Sequence, residues 1–176
     1  MTTIILRKAI PHIIALLTFI ILNSIYFYPR FEGKIIGKQG GGDLVSGAKA
    51  GHELGTYRSQ TKEDILWTNA VFGGMPAYQL SFSPEGNQMS RFYKIFYLKF
   101  SEPIGIFNLL MVAFYISMLL LGFSPWISML GAVCFAFTSN NFILLEAGHL
   151  SKLRAIAFSP IIIAGVILAF QKKYLL

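Results

Sequence analysis

Three groups of side chains in this chain have the types and spacing to do chemistry, and each lies beside an apolar stretch. The first is Asp43 with His52 and Glu53. A carboxylate just beyond an apolar stretch can act as a general base, or hold a divalent cation on a phosphate-bearing substrate. The same residues also read as solvated loop acids. His52-Glu53 is no zinc signature, because no H-E-x-x-H follows. The second group spans 66–78, where Trp67, Asn69 and Tyr78 surround Gly73-Gly74. Aromatic faces and amides suit sugar rings, and they equally suit a loop folded onto a membrane surface. The third group spans 146–154. In a continuous helix Glu146, His149 and Lys152 (i, i+3, i+6) would lie near one face. Lys152 and Arg154 could then meet a lipid phosphate, and Glu146 with His149 could exchange a proton or bind a metal. Their plainer role is to snorkel at the end of a span.

The elements that must position these groups are apolar. The stretches 9–28, 104–122, 125–145 and 156–170 contain no Lys, Arg, Asp or Glu. A bilayer core about 30 Å thick is crossed by roughly 20 apolar residues. A charge at mid-span costs about 2.5–3.5 kcal/mol. Composition agrees: 55% of residues are hydrophobic and 13% charged, against about 25% charged in a soluble domain. The fold class expected is an all-α integral membrane protein with four transmembrane helices and a large extracytoplasmic loop containing short helices. Its parts are an N-terminal tail and first span (1–28), the loop (29–103), and three further spans (104–176) with an outward loop at 146–154.

The net charge of +7 is spread over span ends rather than gathered on one face, which argues against a nucleic-acid partner. Arg7, Lys8, Lys172 and Lys173 flank the chain's two ends, so both termini are expected in the cytoplasm. The single cysteine, Cys134, excludes an internal disulfide. The run after Arg7-Lys8 is too long for a cleaved signal peptide and ends in Tyr26-Phe27-Tyr28-Pro29-Arg30, so a retained signal-anchor is expected. Pro11 is placed in the opening turn of the first span, and Ser124-Pro125 supplies an N-cap and N1 proline for the third. Thr61-x-x-Asp64 resembles a capping box and predicts a short helix that Gly73-Gly74 would end. Aromatics at helical spacing over 89–100, with Arg91, Lys94 and Lys99 between them, predict a helix lying in the membrane interface. The polar run Thr138-Ser139-Asn140-Asn141 falls inside the third span, where it would face a hydrated cavity or bond between helices. No span combines mid-depth charge with Gly/Pro interruption, which disfavours a transporter.

Pro29-Arg30-Phe31-Glu32-Gly33-Lys34, then Asp43, then Leu66-Trp67-Thr68-Asn69 with Phe72-Gly73-Gly74-Met75-Pro76-Ala77-Tyr78-Gln79, and finally Glu146-Ala147-Gly148-His149 through Ser151-Lys152 together resemble the amino-terminal part of the YfhO-like bacterial membrane proteins. The resemblance covers nearly all of the chain, and its most specific element is the Trp-Thr-Asn and Gly-Gly-Met-Pro run. Those proteins are much longer, so this chain is expected to match only their first four spans. The family is similar to the GT-C glycosyltransferases, which take a sugar from a polyprenyl-phosphate carrier at the outer face of the membrane. The resemblance implies a catalytic acid at Asp43, in the bacterial inner membrane, with the N-terminus cytoplasmic. An acid pair is common in that class, but Leu44 follows Asp43, and Glu53 is the nearest candidate for a second carboxylate. Trp67, Asn69, Tyr78, Glu146, His149, Lys152 and Arg154 would bind substrate, the last two contacting phosphate by analogy of place. No metal set is assigned; a divalent cation is the one cofactor this chemistry leaves open. Membrane lipid and a polyprenyl-phosphate-linked sugar are the implied partners. The alternative is a non-enzymatic membrane-anchored protein whose outward loop binds a partner or a glycan.

Overall fold

A computed structural model describes residues 2–34, 43–63, 65–70, 73–77 and 88–173, with backbone alone at 2–6, 43–48, 50 and 89–91. Helix dominates. The helices are α1 (Thr2–Tyr26), α2 (Asp43–Thr61), α3 (Gln88–Phe96), α4 (Ile104–Leu120), α5 (Pro125–Ala136), α6 (Ser139–Glu146) and α7 (Leu150–Phe170). Two short strands, β1 (Trp67–Thr68) and β2 (Met75–Pro76), pair antiparallel with Trp67 opposite Pro76.

Helix α4 is the centre of the bundle, packed by α1, α3, α5 and α7. It is apolar on every side, and a helix of that kind is stable only when surrounded. Ile104 to Ala113 are buried without interruption. Helix α7 meets α4 along Leu153, Ala157, Ala164 and Leu168, all buried. Two alanines on that seam let the backbones approach closely, as membrane helices do where no hydrophobic force separates protein from lipid. The outward faces carry Ile13, Leu17, Ile21, Leu130, Ile162, Ile163 and Val166, all exposed.

Among the described residues two helices are long and apolar enough to cross a membrane: α1 over Arg7–Tyr26, and α7. A third arises if α5 and α6, bent by 43° at their junction, act as one broken span. Helix α4 has 17 residues and is apolar but shorter.

The contacts also set direction. His12 of α1 reaches Tyr115 of α4, while Asn23 reaches Asn108, so α1 and α4 run antiparallel. A tight turn through Gly122-Phe123 reverses the chain into α5, whose N-cap Ser124 accepts from the Ile127 N–H. Arg154 lies against Glu102, so α7 starts where α4 starts. One end of the bundle therefore gathers the end of α1, the starts of α4 and α7, and the α5–α6 junction. The other end holds Arg7, Lys8, the 121–124 turn and Lys172-Lys173.

Several expectations change. Helix α1 begins at Thr2, so Pro11 is interior rather than in the opening turn. Its missing N–H would have met the Arg7 carbonyl, which sits at the charged end of the helix, where water can take its place. The helix expected to start at Thr61 does not form there. Thr61 ends α2 instead: Lys62 turns to φ +64°, and the Thr61 hydroxyl donates to the Tyr57 carbonyl and accepts from the Glu63 N–H. Trp67 and Thr68, an aromatic and a β-branched residue, then form a strand that Gly73-Gly74 turns back. The third stretch is not one helix, and α7 reaches back to Leu150, so the 146–154 loop shrinks to a turn at 147–149. Pro160 inside α7 costs little. The Ile156 carbonyl it leaves without a backbone donor accepts the Ser159 hydroxyl at 2.7 Å.

Candidate functional site

Polar side chains converge at the end where α4 and α7 begin. Arg154, in the second turn of α7, forms an ion pair with Glu102, and its Nε donates to the Tyr97 hydroxyl at 3.1 Å. Tyr97 donates in turn to Glu102 at 3.2 Å. The guanidinium also sits 5.0 Å over the Tyr93 ring, where the ring's negative face attracts it. Burial pushes the Tyr97 phenol up to about 12, although Arg154 pulls the other way. The cluster joins α3, the 97–103 turn and α7 at one point. Arg154 is thus tied to Glu102, Tyr97 and Tyr93 within the protein. Lys152, two residues earlier, is exposed and forms no ion pair with a described carboxylate.

The turn before α7 separates the other residues of the third group. Gly148, at φ +81°, closes α6: its N–H bonds to the Leu145 carbonyl, and that of His149 to the Leu144 carbonyl. This is the Schellman arrangement, and it needs the left-handed conformation glycine adopts freely. Glu146 therefore ends one helix while His149 and Lys152 start another, so the shared helical face expected of 146–152 does not form.

The polar run at 138–141 is the α5–α6 junction itself. Thr138 is the N-cap of α6, and the Asn141 amide donates to the Phe135 carbonyl at 2.9 Å and the Ala136 carbonyl at 3.1 Å. Those carbonyls belong to the last turn of α5, which has no helical partner for them. A break in an apolar helix persists only when the freed backbone groups are bonded again. Phe137 and Phe142 pack the junction against Tyr26 and Phe107.

The segment between α1 and α4 forms a second polar group. Helix α2 packs on β1. Glu53 accepts the Thr68 hydroxyl at 2.8 Å, and Thr68, itself buried, accepts the Ala70 N–H. Trp67 donates Nε1–H to Asn69 Oδ1 at 3.1 Å. His52 is exposed. Asp43 is the first residue of α2, and its side chain, like all of Tyr78, lies outside the described residues. No described contact joins Glu53 to Lys152 or Arg154. Among the described residues no group of three His, Cys, Asp or Glu converges as for a metal.

In the sequence Tyr93 and Tyr97 read only as aromatics of the interfacial helix and Glu102 only as the start of a span, with no site role for these three or for Asn108. Glu102 is the acid nearest the start of any apolar stretch, which was a usable signal. Asn108 was another: it is an amide inside the second stretch, and it pairs at 2.6 Å with Asn23 inside the first.

No protein-family model, no curated protein and no solved structure matches this chain. What the fold and these clusters define is a helical protein, two of whose helices are long and apolar enough to cross a membrane, with its polar chemistry collected at one end of the bundle.

Proposed function

We propose that this chain is the amino-terminal portion of a multispanning, GT-C-like transferase that handles a sugar on a polyprenyl-phosphate carrier at the outer face of the bacterial inner membrane. In this reading α1, α4, the broken α5–α6 pair and α7 are four spans. Segment 29–103 faces outward, and the end bearing Arg7, Lys8, Lys172 and Lys173 is cytoplasmic. The observation that carries it is the exposed ammonium of Lys152 on the first turn of α7, at the end of the bundle where α1 ends and α4 begins. Lys152 would neutralise the carrier phosphate as it leaves the sugar's anomeric carbon. Arg154 is a positioning residue, holding the start of α7 through Glu102 and Tyr97. Asp43, the position matching the YfhO-like pattern, would take the proton of the attacking acceptor hydroxyl. A second reading has its own support. Glu53 and Arg154 are both committed to structural bonds, which suits a non-enzymatic anchor whose outward unit binds a partner or a glycan.

The two are separated by binding of polyprenyl phosphate to the chain in lipid nanodiscs. A lysine near an anionic surface contributes about 1 kcal/mol, so Lys152→Ala should weaken binding roughly fivefold. Equal binding by wild type and Lys152→Ala would withdraw the phosphate role and leave the anchor reading.

A further inference from the structure

We infer that the β1–β2 hairpin presents Trp67 as a preformed stacking platform for one pyranose ring of a saccharide, with Asn69 supplying a hydrogen bond at its edge. This deepens the transferase reading and rests on it for the class of ligand. The indole is fixed on three sides. Its backbone is held by pairing to Pro76 and by the Ala77 N–H to Leu66 carbonyl bond next to it. The Nε1–Cζ2 edge of the ring lies beside Gly74, where an added Cβ would come within 2.8 Å of the indole, so only glycine permits that approach. Its Nε1–H is satisfied by Asn69. Trp67 nevertheless remains 53% exposed. An aromatic surface immobilised before binding loses little freedom when a ligand arrives.

The rim of the platform is polar, and its chemistry is determined. Because Trp67 Nε1 can only donate, the Asn69 oxygen must face it, which directs the two Nδ2 protons away as free donors. Glu53, on the adjoining helix, is held by Thr68 on the other face of the strand and takes no part in this rim. A pyranose has one face of C–H groups and an equator of hydroxyls, and it needs this combination of flat apolar surface and hydrogen-bonding edge. A lipid or protein surface would ask for a continuous apolar patch. Leu66 is also exposed, but consecutive residues of an extended segment point to opposite faces, so Leu66 and Trp67 form no such patch.

The chain has two tryptophans, so Trp126→Phe leaves Trp67 as the only indole reporter. Trp126 starts α5, at the opposite end of the bundle. The Trp126→Phe protein in nanodiscs is titrated with cellotriose and with chitotriose, using sorbitol as an acyclic control. A saturable change in Trp67 emission with at least one trisaccharide and none with sorbitol is expected, and Asn69→Ala in that background should weaken it about fivefold. Unchanged circular dichroism would show that Asn69→Ala stays folded. No saturable response to either trisaccharide overturns the platform. So does quenching of Trp67 by brominated lipid, which would make it an interfacial anchor. Loss of carrier binding in Lys152→Ala is read separately: a platform that binds saccharide while Lys152 proves irrelevant stands without the transferase reading.

Discussion

Arg154 meets a carboxylate, a phenol and an aromatic face at once, and each contact constrains the others. The pair with Glu102 is partly exposed, with side-chain exposures of 27% and 33%. It lies between surface pairs, worth about 0–1 kcal/mol, and buried ones that cost 3–5 kcal/mol to break. Arg154→Ala should therefore destabilise the protein by about 1–3 kcal/mol in a denaturant titration. Arg154→Lys should recover only part of that, because an ammonium cannot bond Tyr97 and Glu102 in one plane. Tyr97 gives a pH test of the same cluster. Burial favours its neutral phenol, so its contribution to stability is complete below the ordinary value of 10.0 and is lost as pH rises through about 12. In an alkaline titration followed by tyrosinate absorbance, Tyr97→Phe should remove a late-ionising step. If the steps were unchanged, the phenol would not be enclosed as described.

At the scale of elements, the junction of α5 and α6 depends on one side chain. Asn141→Leu removes the described side-chain donor to the Ala136 carbonyl and leaves the Phe135 carbonyl with the Thr138 hydroxyl alone, at 3.2 Å. Each buried acceptor left without a partner costs about 1–3 kcal/mol. The variant should lose stability by about that much and become sensitive to protease near 137–141; Ser139→Ala, on an exposed position, should do neither. The residues of this break were legible in the sequence, but their role was not. Hydropathy averages over a window, so four polar residues in a long apolar stretch register as a dip in one span. Read locally, Thr138 followed by three further cap-type residues is a helix start. The hairpin was hidden for a related reason. Thr61-x-x-Asp64 carries the residues of a helix start, while the positive φ of Lys62 that turns the same threonine into a helix end is a backbone property no residue type announces. Helix α2 was equally obscure. Gly47, Gly51 and Gly55 lower its intrinsic propensity, and its packing on β1 depends on a strand not read from the sequence. The helix at 104–120 and the 156–170 part of α7, by contrast, followed closely from uninterrupted apolar composition, and Ser124-Pro125 marked the start of α5. Of the candidate site, the cations at 152 and 154 were visible; the partner that occupies Arg154 lies 52 positions away.

Across the whole molecule, α1 and α4 are joined by an amide pair whose remaining atoms, Asn23 Oδ1 and Asn108 Nδ2, are buried without a protein partner. Asn23→Leu alone would strip Asn108 of its only described bond, whereas the double change Asn23→Leu/Asn108→Leu removes all the amide atoms of this pair together. The double variant should thus be at least as stable as either single one, a non-additivity that a double-mutant cycle measures directly. The same pair fixes the antiparallel course of α1 against α4, and from that course follows the geometry on which any joint chemistry depends. Residues near 30, the starts of α4 and α7, and the α5–α6 junction must all emerge at one end. In a Cys134→Ala background, Glu32→Cys and Ser151→Cys, both exposed sites, should react with a membrane-impermeant thiol reagent from the same side of sealed vesicles. Ser124→Cys and Gln171→Cys should react only from the other. Were positions 32 and 151 labelled from opposite sides, the α1–α4–α7 arrangement would be wrong. Neither Asp43 nor Trp67 could then act on a substrate whose phosphate rests on Lys152.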